Sequence, residues 1–333
     1  MRDVVYSVRG LSVEYPTREG STRAVDDVSL DIHKGEILGL VGESGCGKST
    51  LGKSLLRMQS PGRIVEGELW FGGRDLMTLG ERQMQKLRGR NLSMVFQDPM
   101  TSLNPVERIV DHIVETVQTH EPGVSEAAAR DRARDLARRL GILENRIDDY
   151  PHQFSGGMRQ RIMIALALAL NADVVVADEP TTALDVIVEA QFLDLLRELR
   201  DEFDLTIVMI THNIGVVAEI ADRVAVMYAA RLTELATVDR FFAETRHPYS
   251  QGLLRSVPNI DLDEQSLSTM SGAPPSLLYP PPGCRFHPRC PHAMEVCTAE
   301  QPAMADVGPA HEAACWLYLD HAGSPPLEVV SDA

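Results

Sequence analysis

The sequence predicts an α/β fold organised round a mostly parallel sheet, and three observations carry that expectation. Short apolar runs alternate along the chain with stretches of helical spacing, the pattern of strands and covering helices. One run, Glu36 to Val41, feeds a glycine-rich turn, Gly42-Glu43-Ser44-Gly45-Cys46-Gly47-Lys48-Ser49, that opens a helix over Ser49–Leu56. Another run, Val174 to Ala177, ends in two adjacent acids, Asp178 and Glu179.

Ahead of the turn, Val4–Val8, Leu11–Tyr15 and Val28–Ile32 read as strands, and Leu92–Phe96 as a further strand leading into Gln97. A helical stretch follows, chiefly Val106–Val117 and Ser125–Leu140, with Ser125 as N-cap and Gly141 as the stop. Alternation then resumes with helix Gly156–Leu170, strand Val174–Ala177, helix Val186–Phe203, and strands Thr206–Ile210 and Arg223–Tyr228. After about residue 250, Ala273-Pro274-Pro275 and Pro280-Pro281-Pro282-Gly283 read as a stiff connector with little regular structure. Four of the five cysteines follow it or stand at its end.

The turn matches G-x-x-x-x-G-K-[ST] in its strand-to-helix context, so it is a phosphate cradle. Glycines let the backbone close on phosphate, while exposed N–H groups and the helix N-terminus attract its charge. Lys48 is placed to reach the β- and γ-phosphates and the Ser49 hydroxyl to bind Mg²⁺. Asp178 at the strand tip suits the same metal, and Glu179, one residue on, suits polarisation of the attacking water. Cys46 reads chiefly as a small side chain that fits the loop; its place at a helix N-terminus also favours the thiolate, so a thiol reagent is expected to block binding and bound nucleotide to protect.

The 333 residues suffice for one large α/β domain and a smaller appendage. A net charge of −16 and pI near 5.0 argue against nucleic acid as main partner. The longest apolar run, Ile162–Leu170, falls short of the ~20 residues of a spanning helix, and the N-terminus shows no signal-peptide pattern. The chain is therefore expected to be intracellular, meeting a membrane through partners.

Taken together, these residues resemble the ATP-binding cassette family, and more narrowly the ATPase subunits of dipeptide/oligopeptide importers. The loop Gly42–Ser49, with Thr50 after it, resembles the family's Walker A, Phe154-Ser155-Gly156-Gly157-Met158 its signature, and Asp178-Glu179 the end of its Walker B. Gln97 is similar to the Q-loop glutamine, Ala183-Leu184-Asp185 to the D-loop, His212 to the switch histidine, and Tyr15 to the aromatic that stacks on adenine. Met100–Pro105, His247–Leu254 and the late cysteines resemble the peptide-importer branch.

The resemblance implies a P-loop NTPase cassette with N-terminal antiparallel strands and a helical subdomain at about 98–160. The ATP-binding domain would span 1–250, and a C-terminal extension 251–333 would carry the cysteine cluster. It implies ATP on the Walker loop, with Mg²⁺ held by Ser49, Gln97 and Asp178. Glu179 would be the base, and His212 and Gln97 would attend the γ-phosphate. Ser155, Gly156 and Gly157, with Asp185, would serve a second cassette across a dimer. The implied function is an ATPase powering peptide uptake, on the cytoplasmic face of the cell membrane. Its partners would be a second, paralogous cassette, two permeases and an extracytoplasmic solute-binding protein. Oligosaccharide or nickel import is an alternative, as is a soluble cassette acting on DNA or ribosomes. Two features disfavour that last reading: the Lys48–Ser155 interval is too short for the long coiled coil of the DNA-repair type, and only one motif set is present.

Cys284, Cys290, Cys297 and Cys315 are not spaced like paired zinc knuckles. Four thiolates among proline-rich loops suit a [4Fe–4S] cluster, as the resemblance also implies, with zinc or plain thiols as alternatives. Over Tyr228–Ala236 relatives usually carry a glycine before the arginine, where Ala229-Ala230 stand here, and another after the glutamate, where Leu235-Ala236 stand. Alanine resists positive φ, so a reshaped turn is expected there.

Overall fold

The computed structural model describes residues 3–182, 184–256, 270 and 272–320. β1 (Val4–Thr17) and β2 (Gly20–His33) form a long antiparallel hairpin. The two short strand candidates at the start are one strand, because Gly10, at φ 55, takes up a bulge between Val8 and Leu11 without ending the ladder. β3 (Ile37–Val41) and α1 (Lys48–Leu55) bracket the glycine-rich turn. β4 (Arg63–Phe71) and β5 (Arg74–Asp75) then return to β1, giving a four-stranded antiparallel sheet of order β2-β1-β4-β5.

Next come α2 (Glu81–Leu87), β6 (Leu92–Val95) and a helical region of α3 (Pro99–Ser102), α4 (Ile109–His120), α5 (Glu126–Arg139) and α6 (Gly156–Leu168). α4 starts at Ile109 rather than Val106 because the Asn104 carbonyl and side chain bind Glu107 and Val106 in a preceding turn. Ser125 caps α5 as expected, its hydroxyl accepting from the Ala128 N–H at 3.2 Å. Gly141 follows at φ 66, the left-handed stop.

The rest of the fold is β7 (Val174–Asp178), α7 (Val186–Phe203), β8 (Thr206–Thr211), α8 (Ile214–Ile220), β9 (Arg223–Tyr228), β10 (Arg231–Thr237), α9 (Val238–Ala243), α10 (Pro248–Arg255), α11 (Glu295–Ala299), β11 (Ala305–Gly308) and β12 (His311–Ala313). The second sheet runs β11-β12-β10-β9-β3-β8-β7-β6. Its part from β9 to β6 is parallel, while β10, β12 and β11 join antiparallel.

β3, β7 and β8 are buried at every residue, as strands covered on both faces must be. Alternation divides them between two cores. Val175, Ala177, Ile207 and Met209 face the core shared with α4–α7. Val174, Val176, Val208 and Ile210 face α1 and the antiparallel sheet. A third core gathers Tyr228, Phe241, Tyr249 and Phe286 under the C-terminal segment.

Residues 273–283 hold no helix or strand, as the prolines dictate. Beyond them the chain rejoins the main sheet, with Glu234 of β10 opposite Ala313 of β12. The turn between β9 and β10 is not reshaped. Ala229 and Ala230 take φ of 44 and 73, the double left-handed geometry of a tight hairpin. What holds the alanines there is contact: the Ala230 N–H donates to the Cys46 carbonyl at 2.8 Å, and its carbonyl accepts from the Asp26 N–H at 2.9 Å. Arg285 donates to the Ala229 carbonyl. Among the described residues no helix is long and apolar enough to cross a membrane.

Candidate nucleotide site

The glycine-rich turn is held open by contacts that only glycine permits. A Cβ at Gly42 would lie 2.1 Å from the Met227 carbonyl oxygen, and one at Gly47 would lie 2.0 Å from that of Ala24. Gly42, Gly45 and Gly47 have φ of 153, 78 and 109. Lys48 and Ser49 begin α1, so the helix N-terminus faces a cavity of about 420 Å³. That cavity is lined by Ser44, Gly45, Gly47, Lys48, Ser49 and Thr50 of the loop, and by Gln97, Glu179 and His212 from three other elements. The buried Lys48 ammonium donates to the Gly42 and Glu43 carbonyls at 2.7 and 3.0 Å, which folds the loop onto its own lysine.

The Ser49 hydroxyl donates to Asp178 Oδ1 at 2.8 Å. Burial holds the Asp178 carboxyl above the usual carboxylate range, with Ser49, Lys53 and Lys48 opposing. A desolvated carboxylate hydrogen-bonded to a loop hydroxyl fits a divalent cation, which would relieve that cost.

Glu179 sits at φ 47, left-handed backbone that costs a non-glycine residue of order 1 kcal/mol. Its N–H is anchored on the Ile210 carbonyl at 2.8 Å. Its carboxylate lies in a cluster. Oε1 lies 3.3 Å from His212 Nδ1, and Oε2 accepts from Gln97 Nε2 at 3.3 Å and from the Thr182 hydroxyl at 2.9 Å. Sequence reasoning missed Thr182, a threonine in a loop with no pattern to single it out.

The other expected residues lie elsewhere. Tyr15 is half-buried on β1 opposite Thr22, its ring over Gly62, and is not among the residues lining the cavity. Ser155 caps α6, accepting from the Met158 N–H at 3.4 Å, and Asp185 caps α7 through the Val188 N–H at 3.0 Å. A Cβ at Gly157 would meet Val188 at 2.5 Å, so that glycine lets α6 lie close to α7. Ser155, Gly156, Gly157 and Asp185 do not line the cavity either. Ala183 lies outside the described residues.

The thiolate expected at Cys46 is overturned. The side chain is buried, and burial pushes its thiol up more strongly than Lys48 lowers it. A helix N-terminus favours a thiolate only where the sulfur meets the field without losing solvent.

The four late cysteines form no disulfide, and their sulfurs lie near enough that neighbouring thiols help to raise the proton affinity of Cys284, Cys290 and Cys315. Burial first, and then these neighbours, push Cys284 up to about 11 and Cys315 to about 12. Among the described residues no group of three or more His, Cys, Asp or Glu side chains is placed to hold a metal, so the expected four-cysteine metal centre is not supported by the geometry.

Two family profiles match the chain: "ABC transporter" over residues 25–182, and "Oligopeptide/dipeptide transporter, C-terminal region" over residues 233–297. The chain is 44% identical over 317 residues to the dipeptide transport ATP-binding protein DppD of Bacillus subtilis (strain 168), covering 94% of each. The chain belongs to the ABC transporter family. It is also 44% identical to the oligopeptide transport ATP-binding protein OppD of Escherichia coli (strain K12), covering 96% of this chain and 94% of the relative. Among solved structures it is similar to that described as the dimeric structure of MJ0796, a bacterial ABC transporter cassette. The TM-score is 0.63 at 28% identity, over 70% of this chain and 98% of that one. The same cassette in a post-hydrolysis state, bound to ADP and Pi, matches with TM-score 0.63 at 27% identity over 70% of this chain and 98% of that one. ABC cassettes are thus the setting in which its loop and carboxylates are to be understood.

Proposed function

We propose that the chain is the ATP-hydrolysing subunit of an ABC importer of di- or oligopeptides, acting at the cytoplasmic face of the cell membrane. The observation that carries the catalytic part is the meeting of Gln97, Glu179 and His212, from three separate elements, over the phosphate loop. The near full-length likeness to dipeptide and oligopeptide transport proteins supports the solute class.

In this reading Gly42–Thr50 cradle the ATP phosphates and Tyr15 stacks on adenine. Ser49, Asp178 and Gln97 would hold Mg²⁺, which would supply neutralisation of the phosphate charge. Glu179 takes the proton from the attacking water, and His212 and Gln97 hold water and γ-phosphate in line. Lys48 leaves the carbonyls of Gly42 and Glu43 for the incoming phosphates. Ser155, Gly156 and Gly157 at the α6 N-terminus close over ATP on a second cassette, paralogous or identical, aided by Asp185.

Two permeases and a solute-binding protein complete the assembly, and nucleic acid has no part in it. The open groove of about 1340 Å³ walled by Met58, Arg88, Phe96 and His120 supports docking of a permease beside Gln97. On the resemblance to the peptide-importer branch, Cys284, Cys290, Cys297 and Cys315 would hold a [4Fe–4S] cluster that crosslinks the C-terminal segment; zinc is the alternative. Anaerobic purification with visible absorption and iron analysis tests this, and a colourless protein with one zinc overturns it.

Reconstitution with the neighbouring permease and binding-protein genes tests the whole. ATP hydrolysis in vesicles should rise on adding di- or oligopeptide with the binding protein. Stimulation by sugars or nickel alone would reassign the solute.

A further inference from the structure

Glu43 is the second residue of the phosphate loop, and its carboxylate is held from the far end of the chain. Arg289 grips it with both arms, Nη1 to Oε2 at 2.8 Å and Nη2 to Oε1 at 2.9 Å, with the two side chains only 6% and 22% exposed. The same guanidinium donates to the Tyr228 hydroxyl at 3.2 Å and lies 5.7 Å from that ring's centre. The Tyr249 hydroxyl accepts from the Glu43 N–H at 2.8 Å. Side chain and backbone of one loop residue are therefore both fixed by residues beyond the last parallel strand.

Arg289 stands in the segment between Cys284 and Cys290, which is itself tied down by the Cys284 N–H on the Cys297 carbonyl at 2.9 Å. Arg285 of that segment pairs with Asp26 and with the Ala229 carbonyl beside the loop. The Glu43 carbonyl also accepts from Lys48, so a shift of Glu43 displaces an acceptor of the phosphate-binding lysine.

We propose that Arg289 is a positioning residue for ATP binding: it draws the Glu43 carboxylate out of the cradle, and the C-terminal segment thereby sets nucleotide affinity. This rests on the reading that the loop holds ATP. The physical reason is charge. A carboxylate in a loop that receives a polyanion repels it, whereas a buried, forked guanidinium cancels that charge and fixes its direction. The side chains act on binding and touch no reacting atom, so the effect belongs in KM rather than in kcat.

The test uses the full chain in its assembled complex, with ATP affinity by titration and steady-state hydrolysis. Arg289→Gln is expected to weaken ATP roughly tenfold, the size of one uncompensated charge at this range, with kcat changed by less than about twofold. Adding Glu43→Gln to that variant should recover most of the loss, because the uncompensated charge is then gone. Arg289→Lys, which keeps charge but not the fork, should fall between.

Unchanged affinity in Arg289→Gln, or a loss that Glu43→Gln leaves in place, overturns the proposal. Should Arg289→Gln fail to fold, the doubly neutral variant and Arg289→Lys decide it by the same affinities. Lys48→Ala separates the two claims. If it retains full ATP affinity, the loop is not the nucleotide site. If it loses affinity while Arg289→Gln does not, the Arg289 proposal alone fails.

Discussion

The floor of the nucleotide site and the start of α6 differ in one respect that explains the rest. Gln97, Glu179 and His212 are far apart in sequence yet meet within hydrogen-bond distance over the phosphate loop. Ser155, equally motif-like, caps the helix that Gly156 and Gly157 begin, and none of the three lines that cavity. Two motifs of one family thus have opposite structural status within a single chain. One set is assembled by this fold. The other stands apart from it and, under the proposed function, would serve a site on a second cassette.

The sharpest way to break that contrast is Ser155→Arg in every cassette of the complex. ATP hydrolysis should fall by roughly 10²–10³-fold, the scale for losing aligned donors at a developing charge. ATP binding to the isolated chain should stay within about twofold, by equilibrium titration. Equal loss of both would mean that Ser155 serves its own loop.

Glu179→Gln probes the assembled half. Its turnover should drop roughly 10²-fold with ATP binding intact, measured as single-turnover hydrolysis. Near-normal turnover would remove Glu179 from the base role.

How much of this was legible in the sequence depends on the range of the cause. The loop, the parallel strands and helix α7 were readable because glycine pattern and apolar period are local signals. α7 runs from Val186 to Phe203 as expected, and β9 from Arg223 to Tyr228. β4, β5, β11 and β12 were not readable. β4, β5 and β11 are largely exposed or half-buried and β12 has only three residues, so their strand state comes from their pairing partners rather than from a local apolar pattern. The candidate site shows the same division. Gln97 and His212 were found by motif, but the Thr182 bond to Glu179 and the Arg289 clasp on Glu43 carry no local signature. Cys46 failed for a related reason: helix position is visible in the sequence, whereas loss of solvent is a property of the packed fold.

A smaller effect sharpens the comparison between the two acids at the end of β7. Burial holds the Asp178 carboxyl above the usual carboxylate range, so protonation favours the folded chain without nucleotide. That contribution is complete below the ordinary carboxylate pKa and is lost as pH rises through the raised folded value. Asp178→Asn should therefore flatten this part of the stability–pH curve in urea unfolding. At neutral pH it should raise the melting temperature by roughly 2–4 °C for each kcal/mol recovered, while abolishing Mg²⁺-dependent binding.

The smallest expected effect is at the hairpin beside the loop. Ala230→Gly relieves a left-handed alanine at φ 73 but frees the unfolded chain, so the two nearly offset. A stabilisation below about 1 kcal/mol is expected, read from the denaturation midpoint.

The pairing of β12 with β10 has a consequence for the life of the polypeptide. Until residues 311–313 are synthesised and docked, β10 is the outermost rung of the main sheet, with a row of open amides and carbonyls. Such a border recruits strands from other molecules. Products cut short before His311 should therefore clump in the cell even with every catalytic residue in place. The finished tail replaces that long border with a short one, β11, bearing the charged Asp306.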